Sequence, residues 1–273
     1  MHKAIAAGNV AVVTGAASGL GRAAALYLAR AGMRLVLVDV DAEGLAAVCG
    51  SLPEAVAEVV DVSDRAQVEA LAERVYARFG AVHLVMNNAG IQPGSTIFDE
   101  SGAWARILGV NLMGVVHGAQ VFAPRMMAGG QPGLIVNTGS KQGITTPPGD
   151  PAYNISKSGV KVFTEALQHH LRKTEGCQVE AKLFIPGFVF TPLTAQGRSE
   201  RPAGAWTPEQ TVDYMFDCVA RGDFYILCPD NEVDRRTDAK RILWAAGDIV
   251  ENRPPLSRWH GGYDAEFAEW LRS

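Results

Sequence analysis

The sequence predicts an α/β domain, a doubly wound parallel sheet of about seven strands with helices on both faces. Three observations lead there. Short apolar runs recur near 10–14, 34–39, 56–61, 82–87, 133–138, 179–185 and 224–228, and helical patterns fill the intervals. Strands alternating with helices build parallel sheets, because a parallel pair needs a crossover connection. A glycine-rich turn separates the first run from the first helical stretch. Thr14, Asp39, Asp61, Asn87 and Ser140 stand at or just beyond the ends of the runs, where such sheets bind ligands. The 273 residues, 48% hydrophobic, are enough for a single domain with a sizeable core, so 1–273 is read as one unit.

The first element, Val10-Ala11-Val12-Val13, reads as a buried strand. Thr14-Gly15-Ala16-Ala17-Ser18-Gly19-Leu20-Gly21 follows directly, and Arg22 to Ala31 is a helical stretch rich in Ala and Leu. Strand, glycine turn and helix is the context a dinucleotide pyrophosphate requires, since glycines allow close backbone approach and a helix N-terminus attracts the anion. This is the Rossmann-type version of the fold, although the spacing here is G-x-x-x-G-x-G rather than G-x-G-x-x-G. The next strand, from Met33, ends at Asp39. A carboxylate there can bind the adenosine ribose hydroxyls and repels a 2′-phosphate. No Arg or Lys stands at Ala16, Ala17, Val40 or Asp41, and Arg22 lies on the helix, so NAD is favoured over NADP.

The most informative spacing comes later. Asp150 is a good N-cap and Pro151 suits the first helical position, so a helix is expected from there to about Arg172. Tyr153 and Lys157 are four apart and share a face of it. A free phenol has a pKa of about 10 and is a poor base at neutral pH. A nearby ammonium and the positive end of the helix are both expected to favour the phenolate and so fit Tyr153 for general acid–base work. Ser140, thirteen residues before the tyrosine, adds a hydroxyl.

With these residues in view, the chain resembles the short-chain dehydrogenase/reductase family over nearly its whole length. Thr14 to Gly21 is similar to the family's glycine loop, Asp61-Val62 to its adenine-contacting pair, and Asn87-Asn88-Ala89-Gly90 to the segment after its fourth strand. Asn111, Ser140, Tyr153 and Lys157 match its catalytic positions. Pro186-Gly187-Phe188-Val189-Phe190-Thr191 resembles the segment that grips the nicotinamide carboxamide. One departure is Gly139, where the family often has a serine. The resemblance implies that Tyr153 is the general base in oxidation and the acid in reduction. Lys157 lowers its pKa and holds the nicotinamide ribose, Ser140 hydrogen-bonds the substrate oxygen, and Asn111 supports a water linking the lysine to solvent. It also implies a homodimer or homotetramer.

Residues 188–210 read as a substrate lid, carrying Phe188, Phe190, Leu193 and Trp206, with a capping box at Thr207-Pro208-Glu209-Gln210 opening the next helix. Gln92, Lys141 and Gln142 offer a polar handle near the reacting carbon, although Lys141 equally reads as a solvated loop lysine. The expected substrate is a bulky secondary alcohol or ketone, aromatic or alicyclic. Residues 229–273 form an extension holding Trp244, Trp259 and Trp270, expected to cover either the pocket or a subunit interface. Its basic cluster, Arg235, Arg236, Lys240 and Arg241, reads as a solvated helix face.

Net charge is −4, which argues against nucleic-acid or anionic-membrane partners. No apolar run reaches span length, the N-terminus lacks a signal-peptide core, and the histidines show no metal spacing. Four scattered cysteines suggest reduced thiols and a cytoplasmic setting. Competing readings are an NADP-dependent reductase of the same fold, a sugar-nucleotide epimerase and a non-catalytic dinucleotide sensor.

Overall fold

A computed structural model describes residues 1–195 and 197–273; Gln196, within the predicted lid, lies outside the described residues. The chain alternates strand and helix: β1 (Val10–Thr14), α1 (Gly19–Arg30), β2 (Arg34–Asp39), α2 (Ala42–Gly50), β3 (Ala55–Val59), α3 (Arg65–Phe79) and β4 (Leu84–Asn87). Next come α4 (Ala103–Leu108), a π-helical turn (Gly109–Met113), α5 (Gly114–Ala128), β5 (Gly133–Thr138), the short α6 (Gln142–Thr145) and the long α7 (Pro151–Lys173). The chain continues with β6 (Val179–Ile185), α8 (Pro192–Ala195), α9 (Pro208–Arg221), β7 (Tyr225–Leu227), α10 (Arg235–Val250) and α11 (Asp264–Arg272). The strands form one parallel sheet of order β3-β2-β1-β4-β5-β6-β7, so the order reverses between β1 and β4.

Both sheet faces are buried, which is why the strands read as continuous apolar runs. Alternation along each strand sorts the side chains. Ala11, Val13, Leu35, Leu37, Leu84 and Met86 join α1, α2 and α9 in one core. Val10, Val12, Val36, Val38, Val85 and Ile135 join α3, α5 and α7 in the other. The expected helix start at Asp150 forms, with its carboxylate accepting from Tyr153 N, and the Thr207–Gln210 capping box closes in both directions.

Two features were not anticipated. The segment Ala103–Ala128 is helical throughout and apolar enough to cross a membrane by length and composition. That length arises only because the π turn joins α4 to α5. Ile107, Val115, Ala119 and Phe122 on it are buried in the protein, as in a core helix. A buried polar relay also crosses the sheet. Asn87 Nδ2 donates to Asn137 Oδ1 (2.8 Å), Asn137 Nδ2 to Thr164 Oγ1 (3.1 Å), and Thr164 Oγ1 to the Val160 carbonyl (2.6 Å). It fixes α7 against β4 and β5. Helix α5 approaches this relay so closely that a Cβ on Gly118 would lie 2.0 Å from Asn87 Oδ1.

Gly118→Ala is therefore expected to destabilise the fold by about 2 kcal/mol or more, despite the ~1 kcal/mol that Ala gains over Gly inside a helix. Urea unfolding midpoints check this; an unchanged or raised midpoint contradicts the close packing.

Candidate active site

The carboxyl ends of β1, β4, β5 and β6 surround a cavity of about 350 Å³. Gly15, Ser18, Gly19 and Leu20 form one wall, Ser140, Tyr153 and Lys157 another, and the segment after β6 a third. The walls meet where Thr191 packs on the glycine loop: a Cβ on Gly19 would lie 3.2 Å from Thr191 Cγ2.

The glycine loop is shaped by the neighbouring strand end. Thr14 Oγ1 accepts from Asn88 N (2.9 Å) and Ala89 N (3.0 Å) and donates to the Met86 carbonyl (3.3 Å). Asn88 Nδ2 returns a bond to the Thr14 carbonyl (3.0 Å). The loop is then so tight that a Cβ on Gly21 would lie 2.0 Å from the Gly15 carbonyl oxygen and one on Gly15 2.8 Å from Ala89 Cα. Asn88 and Ala89, expected as cofactor contacts, thus first lock the turn that a cofactor would meet. Helices α2, α3, α7, α9 and α10 each begin with a side-chain cap, whereas Ser18 gives α1 none. The first N–H groups of α1 are left for an anion, which fits a pyrophosphate.

Asp39 accepts from Ala17 N (3.0 Å) and Asp41 N (3.1 Å), so its carboxylate is fixed at the edge of the loop. Asp61 Oδ1 accepts from Ser63 N (2.9 Å) and Ser63 Oγ (2.7 Å). Val62 supports the start of α5, where Gly114 leaves room for its side chain. Gly21, Asp39, Asp61, Val62 and Ala89 lie outside the lining of this cavity. Of the predicted positions it is lined by Gly15, Ser18, Gly19, Leu20, Asn88, Gly90, Pro186, Gly187, Val189 and Thr191.

Tyr153 and Lys157 rise from the first two turns of α7 and both are buried. The Lys157 ammonium donates to the Thr138 carbonyl at the end of β5 (2.8 Å) and lies 5.7 Å from the Tyr153 ring centroid. Gln142 N donates to Ser140 Oγ (3.2 Å), which orients the serine. The expectation of a lowered phenol pKa requires correction for the protein by itself. Burial pushes Tyr153 up to about 12, the Ser140 hydroxyl pulls it back in part, and the Asp150 carboxylate adds to the rise. Burial likewise lowers Lys157 to about 8. Desolvation disfavours both charged forms.

Asn111 sits within the π turn and is fully buried. Its amide accepts from Ile91 N (2.8 Å) and donates to the Ile91 carbonyl (2.9 Å) and Ser156 Oγ (3.4 Å). The side chain therefore holds the segment after Gly90. A Cβ on Gly90 would lie 3.5 Å from Asn111 Oδ1 and 3.8 Å from Lys157 Nζ, so the glycine leaves a gap between them. π turns recur at functional sites because they break helical hydrogen-bond register locally.

The substrate-side expectations divide. Gln92, Lys141, Gln142, Phe188 and Leu193 line the cavity. Trp206 does not: it pairs as a strand with Val189, exchanging backbone bonds with Phe188 and Phe190, and its ring meets Tyr214 edge-on at 5.7 Å. Lys141 is neither a free handle nor a solvated lysine. Its ammonium pairs with Asp238 (2.7 Å) and Asp230 (3.3 Å), whose side chains are 5% and 6% exposed. Asp230 also accepts from Phe188 N (3.1 Å) and lines the cavity. Sequence reading missed Thr138, Thr194 and Asp230 on the lining, and noted Gly139 only as a departure from the family pattern. A Cβ on Gly139 would come within 3.1 Å of Leu183 Cδ1, a tertiary contact that the neighbouring residues do not announce. Asp230 had no local signal either, because its role depends on β7 ending beside β6.

Residues 9–202 match the family of short chain dehydrogenases. The chain belongs to that family. It is 44% identical over 238 residues to the oxidoreductase SadH of Mycobacterium tuberculosis, covering 81% of this chain and 86% of the relative. It is 31% identical over 249 residues to 1-deoxy-11-beta-hydroxypentalenate dehydrogenase of Streptomyces avermitilis, covering 86% and 90%. A short-chain dehydrogenase/reductase from Burkholderia phymatum, solved in complex with NAD, superposes with a TM-score of 0.83 at 35% identity, covering 93% of this chain and 98% of that one. The protein is thus an oxidoreductase of a family that binds nicotinamide dinucleotides. The positions predicted to contact a cofactor, Gly15 to Thr191, fall within the matched span, and Asp230 and Asp238 lie beyond it.

The Lys141 cluster carries a prediction. Burial raises the Asp238 pKa even though Lys141 pulls it down. A carboxyl with a raised folded pKa favours folding at low pH and loses that contribution as pH rises through the folded value. Asp238→Asn should therefore change stability at pH 7 by no more than about 1 kcal/mol. Lys141→Met strands two buried carboxylates and should cost about 3–5 kcal/mol. Chemical denaturation at pH 7 compares them; equal losses contradict the cluster's energetics.

Proposed function

We propose that the protein is an NAD-dependent oxidoreductase that moves a hydride between a bulky secondary alcohol or its ketone and the nicotinamide, with Tyr153 as the general acid/base. The observation that carries this reading is the convergence of Ser140, Tyr153 and Lys157 on one wall of a cavity whose opposite wall is the glycine loop. Preference for NAD is supported by the Asp39 carboxylate, fixed by two backbone N–H groups at the loop edge. It is also supported by the absence of Arg or Lys at Ala16, Ala17, Val40 and Asp41. A bulky, largely apolar substrate is supported by Phe188, Val189 and Leu193 on the lining. The hydroxypentalenate named for the Streptomyces relative is a hydroxy compound, in keeping with this class.

When bound, the nicotinamide supplies the hydride acceptor or donor. The chain's own residues handle the proton. Ser140 holds the substrate oxygen by hydrogen bond, and Tyr153 Oη takes the hydroxyl proton in oxidation or returns it in reduction. Lys157 faces the Tyr153 ring, and its charge stabilises the phenolate as it forms. The gap at Gly90, between Lys157 and Asn111, gives a water room to carry the proton on. We place the protein in the cytoplasm as a homodimer or homotetramer acting on a small molecule. The four unpaired cysteines suit a reducing compartment, and exposed Ile155 and Val162 on α7 suit a subunit contact.

The test is NADH formation across secondary alcohols, with NAD and NADP in parallel. Bulky ring alcohols with NAD should be turned over by the native protein. Tyr153→Phe should lose at least about 10²-fold in kcat, the general range for a proton-transfer residue. Activity confined to small linear alcohols, preference for NADP, or activity retained in Tyr153→Phe each contradicts the corresponding part of the reading.

The pH dependence follows from the phenol. Oxidation needs phenolate, so its kcat should climb as pH rises toward the tyrosine's raised pKa. Reduction needs the phenol, which stays protonated below that value, so it should be flat over the same range and fall only as pH passes the tyrosine's pKa. Steady-state profiles in both directions check this; parallel slopes contradict Tyr153 as the shared group.

A further inference from the structure

A second cavity, of about 360 Å³, lies behind the catalytic turn and shares no lining residue with the first. Ile144 to Thr146 form one wall, and α10 with the turn at 256–259 forms the other. The lining is largely apolar, with Ile144, Ile242, Trp244 and Trp259, but Arg241 and Arg258 also face it.

These two guanidiniums stand apart from the rest of the basic cluster. Arg235 donates to the Leu227 carbonyl (3.1 Å), Arg236 to the Ser273 carbonyl (3.0 Å) and Lys240 to the Trp270 carbonyl (2.7 Å). Arg241 Nε is buried with no hydrogen-bond partner. Arg258 lies over the rings of Trp259 (4.7 Å) and Phe267 (5.3 Å), and burial together with neighbouring Arg241 depresses its pKa to about 10.

Among the described residues no carboxylate lies within 4.0 Å of either guanidinium. The nearby acids are engaged elsewhere. Asp248 on the lining is held by Arg253 (3.0 Å) and accepts from Ser257 Oγ (2.5 Å) and Ser257 N (3.1 Å). Asp238 pairs with Lys141 (2.7 Å). Asp238 is near enough to attract both guanidiniums but bridges to neither. Two adjacent, partly desolvated cations thus share one carboxylate already held by Lys141, and a bridging anion relieves both.

We propose that this cavity binds a small amphipathic carboxylate, its anionic end between Arg241 and Arg258 and its ring or branched alkyl body against Ile144, Trp244 and Trp259. The site is joined to the catalytic cavity twice. In α6, Gln142 faces the catalytic side and Ile144 the second cavity, while Gly143 between them packs on the Lys157 backbone and accepts from Ser158 Oγ (2.9 Å). In α10, Asp238 holds Lys141, and Arg241 lies one turn further on. A carboxylate bound here braces the turn that orients Ser140. By linkage, it and a ligand of the catalytic cavity change each other's affinity by the same factor.

The experiment titrates the full-length protein with benzoate and cyclohexanecarboxylate, and with benzamide and cyclohexanecarboxamide as neutral controls, reading tryptophan fluorescence and thermal shift. The carboxylates should bind at least about tenfold more tightly than the amides, and Arg258→Met and Arg241→Met should each weaken them by at least about tenfold. Tyr153→Phe should leave the binding unchanged. Arg258→Lys keeps the charge but not the planar fork and should be intermediate, which serves if the Met variants fail to fold. Equal binding of amides, no saturable binding in the millimolar range, or loss of binding in Tyr153→Phe would overturn the proposal. So would self-association that the arginine variants abolish without any carboxylate response, which assigns the cavity to a subunit contact. The readout is binding, so it stands apart from whether the proposed oxidoreductase substrate is right.

Discussion

The Lys157 ammonium is buried beside the Tyr153 phenol, and the acceptor that holds it is the Thr138 carbonyl at 2.8 Å. Much of the surrounding architecture meets the demands of that contact. Helix α7 must lie against the end of β5, and the Asn87–Asn137–Thr164 relay fixes it there. The turn after Ser140 must pass over Lys157, and Gly143 permits it, since a Cβ there would lie 2.4 Å from the Lys157 carbonyl carbon. Burial lowers the lysine to about 8 and raises the tyrosine to about 12, so it opposes the charged form of each. Perturbed groups of this kind cluster at functional sites.

A second ionic contact extends this site into the C-terminal part of the chain. Lys141 follows Ser140 directly, and its partners Asp230 and Asp238 belong to the extension. Asp230 also receives Phe188 N–H, so one carboxylate ties together the segments after β5, β6 and β7. The tryptophans have a different task. Trp244 packs on Phe267 and Trp270 and carries Arg253 over its ring at 4.0 Å, forming a small aromatic core of the extension itself. The start of the extension thus reaches the cavity through Asp230, while Trp244 and Trp270 pack within the extension itself.

The parallel sheet was legible because burial on both faces writes a nearly continuous apolar run for each strand. Ends were less legible. β3 stops at Val59 and β7 spans only Tyr225–Leu227, because edge strands have a ladder partner on one side alone. The glycine loop and the Ser140, Tyr153 and Lys157 set were readable from local spacing. Trp206 misled, because an aromatic residue in a long excursion looks the same whether it faces a ligand or a helix such as α9. Lys141 lines the cavity as expected, but its ion pairing was not legible, since its partners lie 89 and 97 positions away in sequence.

Periodicity, caps and glycine spacing, all properties of neighbouring residues, determined the sheet, the helix bearing Tyr153 and Lys157, and the loop suited to an anion. Tertiary structure alone decided the long-range electrostatics: the opposed pKa shifts of Tyr153 and Lys157, the capture of Lys141 by Asp230 and Asp238, and the pairing of Arg241 with Arg258 around a second cavity. The physical reason is that burial and charge pairing are set by what folds against a side chain, and those partners are remote in the chain.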